Sequence, residues 1–223
     1  MSPRVEWLTV VGDPAVWRSL GFVLADDGTI PLPGTSLRVA TNGASAGISG
    51  WTLSGTVAAP GTEQDLDGLP TTFVEPVTPR YADHPIGATG LDHVVVMTSD
   101  LERTSGAIAG TTGCELKRIR EVGSMRQGFH RIGPGGLIVE LVERPEIPDG
   151  PAAFWGLVVN VADIDAACDR IGAGRVSPPK DAVQPGRRIA TVSSEVGLGL
   201  PVALMTSQRA GDTPLIGAAD QDG

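Results

Sequence analysis

The stretch HVVVMTSD, residues 93–100, carries the sequence pattern from which the fold of the chain is predicted. Its β-branched and apolar residues favour a strand, and Asp is a preferred residue at the N-cap of a helix. Apolar residues in the segment that follows, LERTSGAIAG (101–110), recur at three-to-four spacing, as on one face of a helix. The stretch therefore predicts a strand that leads directly into a helix.

The same pattern occurs twice more in the chain. EWLTVVGD (6–13) and GLVVNVAD (156–163) also end in Asp and lead into amphipathic runs. Short β-like runs with turn residues between them follow each copy. In each copy the last strand is predicted at the same number of residues beyond the first strand. This spacing relates Glu140 to His93, Ala203 to Gly156 and Leu53 to Glu6. The repeat predicts three βαβββ modules and hence an α+β protein with a mixed sheet.

The spacing of the modules predicts the domain organisation. Residues 1–57 form a divergent βαβββ module, 58–89 a linker or lid, 90–206 two paired modules and 207–223 a flexible tail. The second and third modules are paired because only RPEIPDGPAA (144–153) joins them. The first module then has an uncovered sheet, which predicts either packing on the other modules or a homodimer interface.

Composition and charge exclude several classes of protein. The net charge of −9 disfavours nucleic acid as a partner, because a polyanion would be repelled. No apolar stretch approaches the roughly 20 residues that a membrane-spanning helix requires, so no membrane partner is expected. The N-terminal sequence MSPRVEWLTVVGD lacks the features of a signal peptide. We therefore expect a cytoplasmic protein.

A module with His in its first strand and Glu in its last strand resembles the vicinal oxygen chelate superfamily, which includes glyoxalase I, bleomycin-resistance proteins and extradiol dioxygenases. The resemblance covers residues 90–206. The segments FWGL (154–157) and AVQPGRRIAT (182–191) are similar to an actinobacterial-type, glyoxalase-like branch. The resemblance implies that two modules pair into a curved, cup-like sheet, the glyoxalase-like fold.

In this family, metal ligands come from the first and last strands of the paired modules. The resemblance places these four positions at His93, Glu140, Gly156 and Ala203. Gly156 and Ala203 have no side chain that can bind a metal, so only two protein ligands remain. We therefore expect no cofactor. The alternative is one divalent ion (Zn, Ni, Fe or Mn) on His93 and Glu140, held mostly by water unless His84, His130 or a partner chain supplies a further donor.

Strand alternation places His93 and Glu140 together inside the predicted cup. A buried carboxylate beside a histidine is costly unless the two pair or bind something. Three interpretations stay open: a metal site, a metal-free polar pair that orients a ligand, and a structural remnant.

Further candidates for ligand binding lie on or next to the predicted cup strands. Arginine can bind a carboxylate or phosphate bidentately, and aromatic rings can stack on a planar ligand. The alternative is that each arginine pairs with surface acids and each ring is part of the core. The candidate ligand-binding residues are Arg126, Gln127, Phe129, Trp155, Gln184, Arg187 and Arg188.

The sequence and the resemblance together predict a glyoxalase-like protein that binds an anionic or aromatic small molecule, with His93 and Glu140 at the base of the cup. The first alternative is a metal-dependent lyase, isomerase or dioxygenase in which Glu140 serves as ligand or general base. The second is a sequestering protein without chemistry, like the resistance proteins of the family.

Overall fold

The computed structural model describes residues 2–43 and 45–207, which form two β-sheets with helices packed against them. The predicted tail, 207–223, lies outside the described residues except for Ser207. No helix in the described ranges is long and apolar enough to cross a bilayer.

The smaller sheet comes from the N-terminal third of the chain and has the strand order β2-β3-β1-β4-β6-β5. Its elements are β1 (Arg4–Val11), α1 (Pro14–Ser19), β2 (Thr29–Ile30), β3 (Ser36–Ala40), β4 (Gly47–Ser54), β5 (Glu63–Leu66) and β6 (Leu69–Phe73).

The larger sheet has eight strands in the order β12-β13-β14-β11-β7-β10-β9-β8. One module supplies β7 (Ala88–Thr98), α2 (Leu101–Thr112), β8 (Arg118–Val122), β9 (Met125–Arg131) and β10 (Ile138–Glu143). The other supplies β11 (Ala153–Val161), α3 (Ile164–Ile171), β12 (Lys180–Asp181), β13 (Arg188–Thr191), a 3₁₀ turn (Ser194–Val196) and β14 (Val202–Thr206). In each module the first and last strands pair in parallel, and β7 and β11 join the modules antiparallel. The predicted α+β fold of βαβββ modules is confirmed for this sheet.

Each helix begins where the repeat predicts. The Asp13, Asp100 and Asp163 side chains accept hydrogen bonds from backbone N–H groups in the first turns of α1, α2 and α3. These bonds satisfy amides that have no partner within the helix. The Asp that ends each strand therefore fixes the direction in which the chain leaves the sheet.

The N-terminal sheet differs from the predicted single module. β1 pairs in parallel with β3, whereas Leu53 lies in β4, which pairs antiparallel with β1. The segment 58–89, expected to be a linker or lid, contributes β5 and β6, and β6 pairs in parallel with β4. Residues 55–62, between β4 and β5, form bends and turns and no helix, so the sheet consists of two shortened halves. The spacing that led to Leu53 marks the junction between those halves and not a last strand.

The two sheets share one core. Val94 and Val96 of β7 are fully buried on the face opposite the cup, and Trp51 of β4 packs edge-on against Phe154 of β11 with ring centroids 5.6 Å apart. The uncovered sheet of the first module is thus covered by the larger sheet, which is one of the two arrangements expected. The homodimer stays a prediction.

Candidate functional site

The eight-stranded sheet curves so that its two edge strands, β8 and β12, line the same cavity of about 670 Å³. A second hollow of about 380 Å³ adjoins it along the sheet. Both are lined by His93, Gln127, Glu140 and Ile189, so the two form one cup.

Alternation along the central strands decides which side chains reach the cup. On β7, His93, Val95 and Met97 line it, while the intervening valines are in the core. On β10 and β9, Glu140 and Gln127 point to the same side. The floor of the cup is therefore polar at its centre and apolar around it.

The polar groups at the floor form a chain of contacts. Gln127 Nε2 donates a hydrogen bond of 2.5 Å to Glu140 Oε1. His93 Nε2 lies 3.4 Å from Glu140 Oε2, an ion-pair distance. On its other side, His93 Nδ1 lies 2.8 Å from Asp92 Oδ2 and donates to it. The imidazole is thus held between two carboxylates.

Asp92 is itself fixed by Arg187, whose Nη2 donates to Asp92 Oδ1 at 2.6 Å. The same guanidinium donates to Asn160 Oδ1 at 2.6 Å and, through Nε, to the carbonyl of Thr206 at 2.8 Å. Burial alone would raise the pKa of Asp92, but the hydrogen bond from His93, with the charges of His93 and Arg187, lowers it to about 2. Asp92 therefore stays ionised and keeps the proton on His93 Nδ1.

The family's metal positions do not fit a metal centre in this chain. Asp92 and Glu140 lie at opposite nitrogens of the His93 ring and cannot converge on one ion. Within residues 2–43 and 45–207, no group of three or more His, Cys, Asp or Glu side chains is placed to hold a metal. His93 and Glu140 supply at most two ligands, too few for the three or four that structural and catalytic sites use.

Gly156 and Ala203 occupy the other two positions without donors. A Cβ at Gly156 would come within 2.6 Å of the Pro201 carbonyl oxygen, so close approach of this backbone explains the glycine. Ala203 lines the cup but carries only a methyl group.

The walls of the cup carry positive charge. Arg118 and Arg120 alternate along β8, opposite Phe129 and Gln127 of β9, and Lys180 lies on the facing edge, β12. Apolar surface between them comes from Phe129, Ile138, Ile189 and Met205. The cup thus combines an apolar interior, cationic walls and an acid–imidazole pair at its floor.

Four of the predicted ligand-binding residues line the cup: Gln127, Phe129, Gln184 and Trp155. Trp155 is 52% exposed at its margin, where its indole face can meet a ligand. Arg187 is behind the floor, 6% exposed, and reaches the cup only through Asp92.

Arg126 and Arg188 point away from the cup, contrary to expectation. Arg126 pairs with Glu102 of α2 and Glu143 of β10, and Arg188 pairs with Asp165 of α3. The reason is strand alternation: Gln127 and Ile189 face the cup, so their preceding neighbours face the helices.

The other histidines lie outside the cup. His84 accepts a hydrogen bond from Val23 N and contacts the Pro31 carbonyl, so it joins loops of the smaller sheet. His130 is fully buried between Cys114 and Ser105, and burial lowers its pKa. Neither can supply the further metal ligand that the sequence left open.

Sequence reasoning missed the residues that complete the site: Asp92, Arg118, Arg120, Asn160 and Lys180. For the two arginines of β8 a signal existed, because RIR (118–120) alternates charged and apolar residues as a strand with one charged face does. For Asp92 and Asn160 none existed, because their importance depends on Arg187, which is distant in sequence.

The comparisons with known proteins agree with the fold. Residues 90–192 match the model of the Glyoxalase/Bleomycin resistance protein/Dioxygenase superfamily. No curated protein matches the chain by sequence.

Solved structures are similar at low identity. A variant of 4-hydroxymandelate synthase from Streptomyces coelicolor is 17% identical with a TM-score of 0.63, and the match covers 93% of each chain. A halotolerant catechol dioxygenase is 16% identical with a TM-score of 0.58, over 92% of this chain and 86% of that one. Methylmalonyl-CoA epimerase from Mycobacterium tuberculosis is 18% identical with a TM-score of 0.46, over 55% of this chain and 91% of the other. The first two show that the two-sheet arrangement is shared along nearly the whole chain.

Proposed function

Residues 90–192 belong to the Glyoxalase/Bleomycin resistance protein/Dioxygenase superfamily, and from this premise we propose that the chain binds an anionic, partly apolar small molecule in the cup of its larger sheet. The observation that carries the proposal is the placement of Arg118, Arg120 and Lys180 on facing edges of one apolar cavity whose floor is the His93–Glu140 pair.

Charge supports an anionic ligand. Three cationic side chains and three carboxylates, Asp92, Glu140 and Asp181, line the cavity. Asp92 is paired with Arg187, and Glu140 accepts a hydrogen bond from Gln127 at the floor. On the walls, within the described residues, neither Arg120 nor Lys180 has an ion-pair partner. Confined in a cleft with apolar walls, such charges attract an anion more strongly than they would on an open surface.

Size and lining support an organic ligand. A cavity of about 670 Å³ lies within the range of roughly 300–1,000 Å³ typical of small-molecule sites. Phe129 and Trp155 offer ring faces on which an aromatic ligand can stack. Glu140 and His93 can orient a hydroxyl or amide group of the same ligand from below.

The test is a titration of the protein with benzoate, phenylacetate and malonate, in which two-dimensional NMR and calorimetry measure binding. We expect saturable binding to the parent chain, weakened about tenfold or more by Arg120→Gln, because a hydrogen bond to a charged group contributes about 1.5–3 kcal/mol. Arg126→Gln is the matched control, because Arg126 faces α2. Equal affinity in both variants, or no binding of any of the three anions, would contradict the proposal.

The second candidate function is proton transfer at a carbon acid, which is the lyase or isomerase alternative. Glu140 is oriented by Gln127 and lies beside His93, so the carboxylate can take a proton from a bound ligand while the imidazole stabilises the charge that develops. A bound anion that exchanges a C–H proton for deuterium in D₂O, in the parent chain and not in Glu140→Gln, would establish it. Binding without exchange favours sequestration.

A metal-dependent version of this chemistry is disfavoured by the donor set and is not part of the proposal. A cytoplasmic location is part of it, since Cys114 and Cys168 are both free thiols, as in proteins of reducing compartments. A homodimer is the second assembly that the sequence left open, and light scattering would test it.

A further inference from the structure

A second, smaller cavity lies behind the floor of the cup. It has a volume of about 170 Å³ and shares Asp92, Ile138 and Gln184 with the cup. Its other walls come from the loop of residues 33–35 of the smaller sheet and from the hairpin turn of residues 135–137. It is therefore enclosed jointly by the two sheets.

Two guanidinium groups line this cavity. Arg187 uses Nε and Nη2 for its bonds to Thr206, Asn160 and Asp92, and no contact of its Nη1 is found among the described residues. Arg131 donates from Nη1 to the Gly136 carbonyl and keeps its other N–H groups. Asp92 is the single carboxylate among the lining residues, and it already accepts from His93 and Arg187.

The lining therefore carries two positive charges and one negative charge, with more donors than acceptors. Asn160 and Gln184 add amide groups, and the Oδ1 of Asn160 is already engaged by Arg187. A buried arrangement with unused charge-assisted donors is stabilised by an acceptor that brings negative charge.

We propose that this cavity is a binding site for a small oxyanion, a carboxylate or phosphate group held between Arg131 and Arg187. Its volume is below that of typical whole-ligand pockets and suits a single anionic group. The inference goes beyond the proposed function of the cup and stands without it.

An anion bound at this site affects the cup through one shared ion pair, Asp92–Arg187. An oxyanion on Arg187 competes with Asp92 for the guanidinium, and Asp92 fixes the tautomer and orientation of His93. Three contacts, Arg187–Asp92, Asp92–His93 and His93–Glu140, thus link the anion site to the Glu140 carboxylate.

The experiment titrates the full chain with inorganic phosphate and with acetate at constant ionic strength, which keeps screening equal. Calorimetry gives the affinity, and the imidazole NMR signals give the site, since the chain has only three histidines. We expect saturable binding of at least one anion at about 1 mM or tighter, with a shift of the His93 signal and none of the His130 signal.

Variants of one strand provide the matched comparison. Arg131→Gln should weaken binding about tenfold or more, because it removes a charge-assisted donor. Arg126→Gln, on the opposite face of the same strand, should not. Equal affinity in both variants, an unmoved His93 signal, or no saturation overturns the proposal. Since Arg131 is partly exposed and its one bond is to a turn, Arg131→Gln should fold, which its melting temperature verifies.

A further arm identifies the source of the oxyanion. If phenyl phosphate binds more tightly than inorganic phosphate and Phe129→Leu removes this gain in affinity, the cavity holds the anionic end of a larger ligand whose remainder occupies the cup. Equal affinities for the two compounds, still lost in Arg131→Gln, support a site for a free anion. Loss of cup binding in Arg120→Gln with phosphate binding intact shows that the two sites fail independently.

Discussion

Asp92 and Arg187 form a 2.6 Å ion pair in which the two side chains are only 8% and 6% exposed. Asp92 belongs to the first strand of one βαβββ module, and Arg187 precedes the third strand of the other. The pair therefore ties the two halves of the cup together directly behind the histidine at its floor. Because this ion pair is buried, its loss should destabilise the fold more than the loss of an exposed ion pair.

Replacing Arg187 with Ala should destabilise the protein by about 3–5 kcal/mol, because it leaves a buried carboxylate without its partner. Arg188→Ala is the neighbouring control, since its pair with Asp165 is 40% and 63% exposed and should contribute less than about 1 kcal/mol. Urea unfolding measures both. Similar losses in the two variants would show that the buried pair has no special role.

The same carboxylate predicts a pH dependence. The pKa of Asp92 is lowered in the folded state from 3.8 to about 2, so the folded state favours its ionised form. This stabilisation is fully present above pH 3.8 and is lost as the pH falls toward about 2, a change of roughly 2 kcal/mol. Urea unfolding of the parent chain and of Asp92→Asn between about pH 6 and about pH 2 tests it. The difference between the two should shrink as the pH falls, and a constant difference would argue against the lowered pKa.

Two glycines should respond to alanine in opposite directions. Gly156→Ala places a Cβ 2.6 Å from the Pro201 carbonyl oxygen and should destabilise the protein by about 1–3 kcal/mol through overpacking. Gly110→Ala lies within α2 with no atom within 4 Å of the new Cβ and should stabilise it by up to about 1 kcal/mol. Melting temperatures measured by calorimetry compare the two, and a tolerated Gly156→Ala would show that the backbone at Pro201 can shift to admit a side chain.

The local features of the larger sheet could be predicted from the sequence. The Asp residues at 100 and 163 both cap helices, and alternation placed His93 and Glu140 on one face. These features depend on neighbours in the chain. For the same reason, alternation predicts that the adjacent residues Arg126 and Gln127 point to opposite faces of the sheet.

The pairing of the smaller sheet could not be predicted, because register depends on which strands meet in space. β1 has a parallel partner in β3 and an antiparallel partner in β4, and both fit the spacing of apolar residues. Asp92 was missed for a similar reason: it looks like an ordinary strand-end acid until Arg187 is placed beside it.

Metal content is the measurement that separates this cup from the metal centres of its family. The Asp92 and Glu140 carboxylates flank opposite nitrogens of His93, and the remaining family positions are Gly156 and Ala203. We therefore expect elemental analysis of protein purified without a metal-affinity step to show well under one equivalent of Zn, Ni, Fe or Mn, and EDTA to leave the melting temperature unchanged. Glu140→Ala serves as the reference. Near-stoichiometric metal in the parent chain that is lost in this variant would mean that His93 Nε2 and Glu140 hold an ion while His93 Nδ1 keeps its contact with Asp92, and it would restore the metal-dependent enzyme as the leading function.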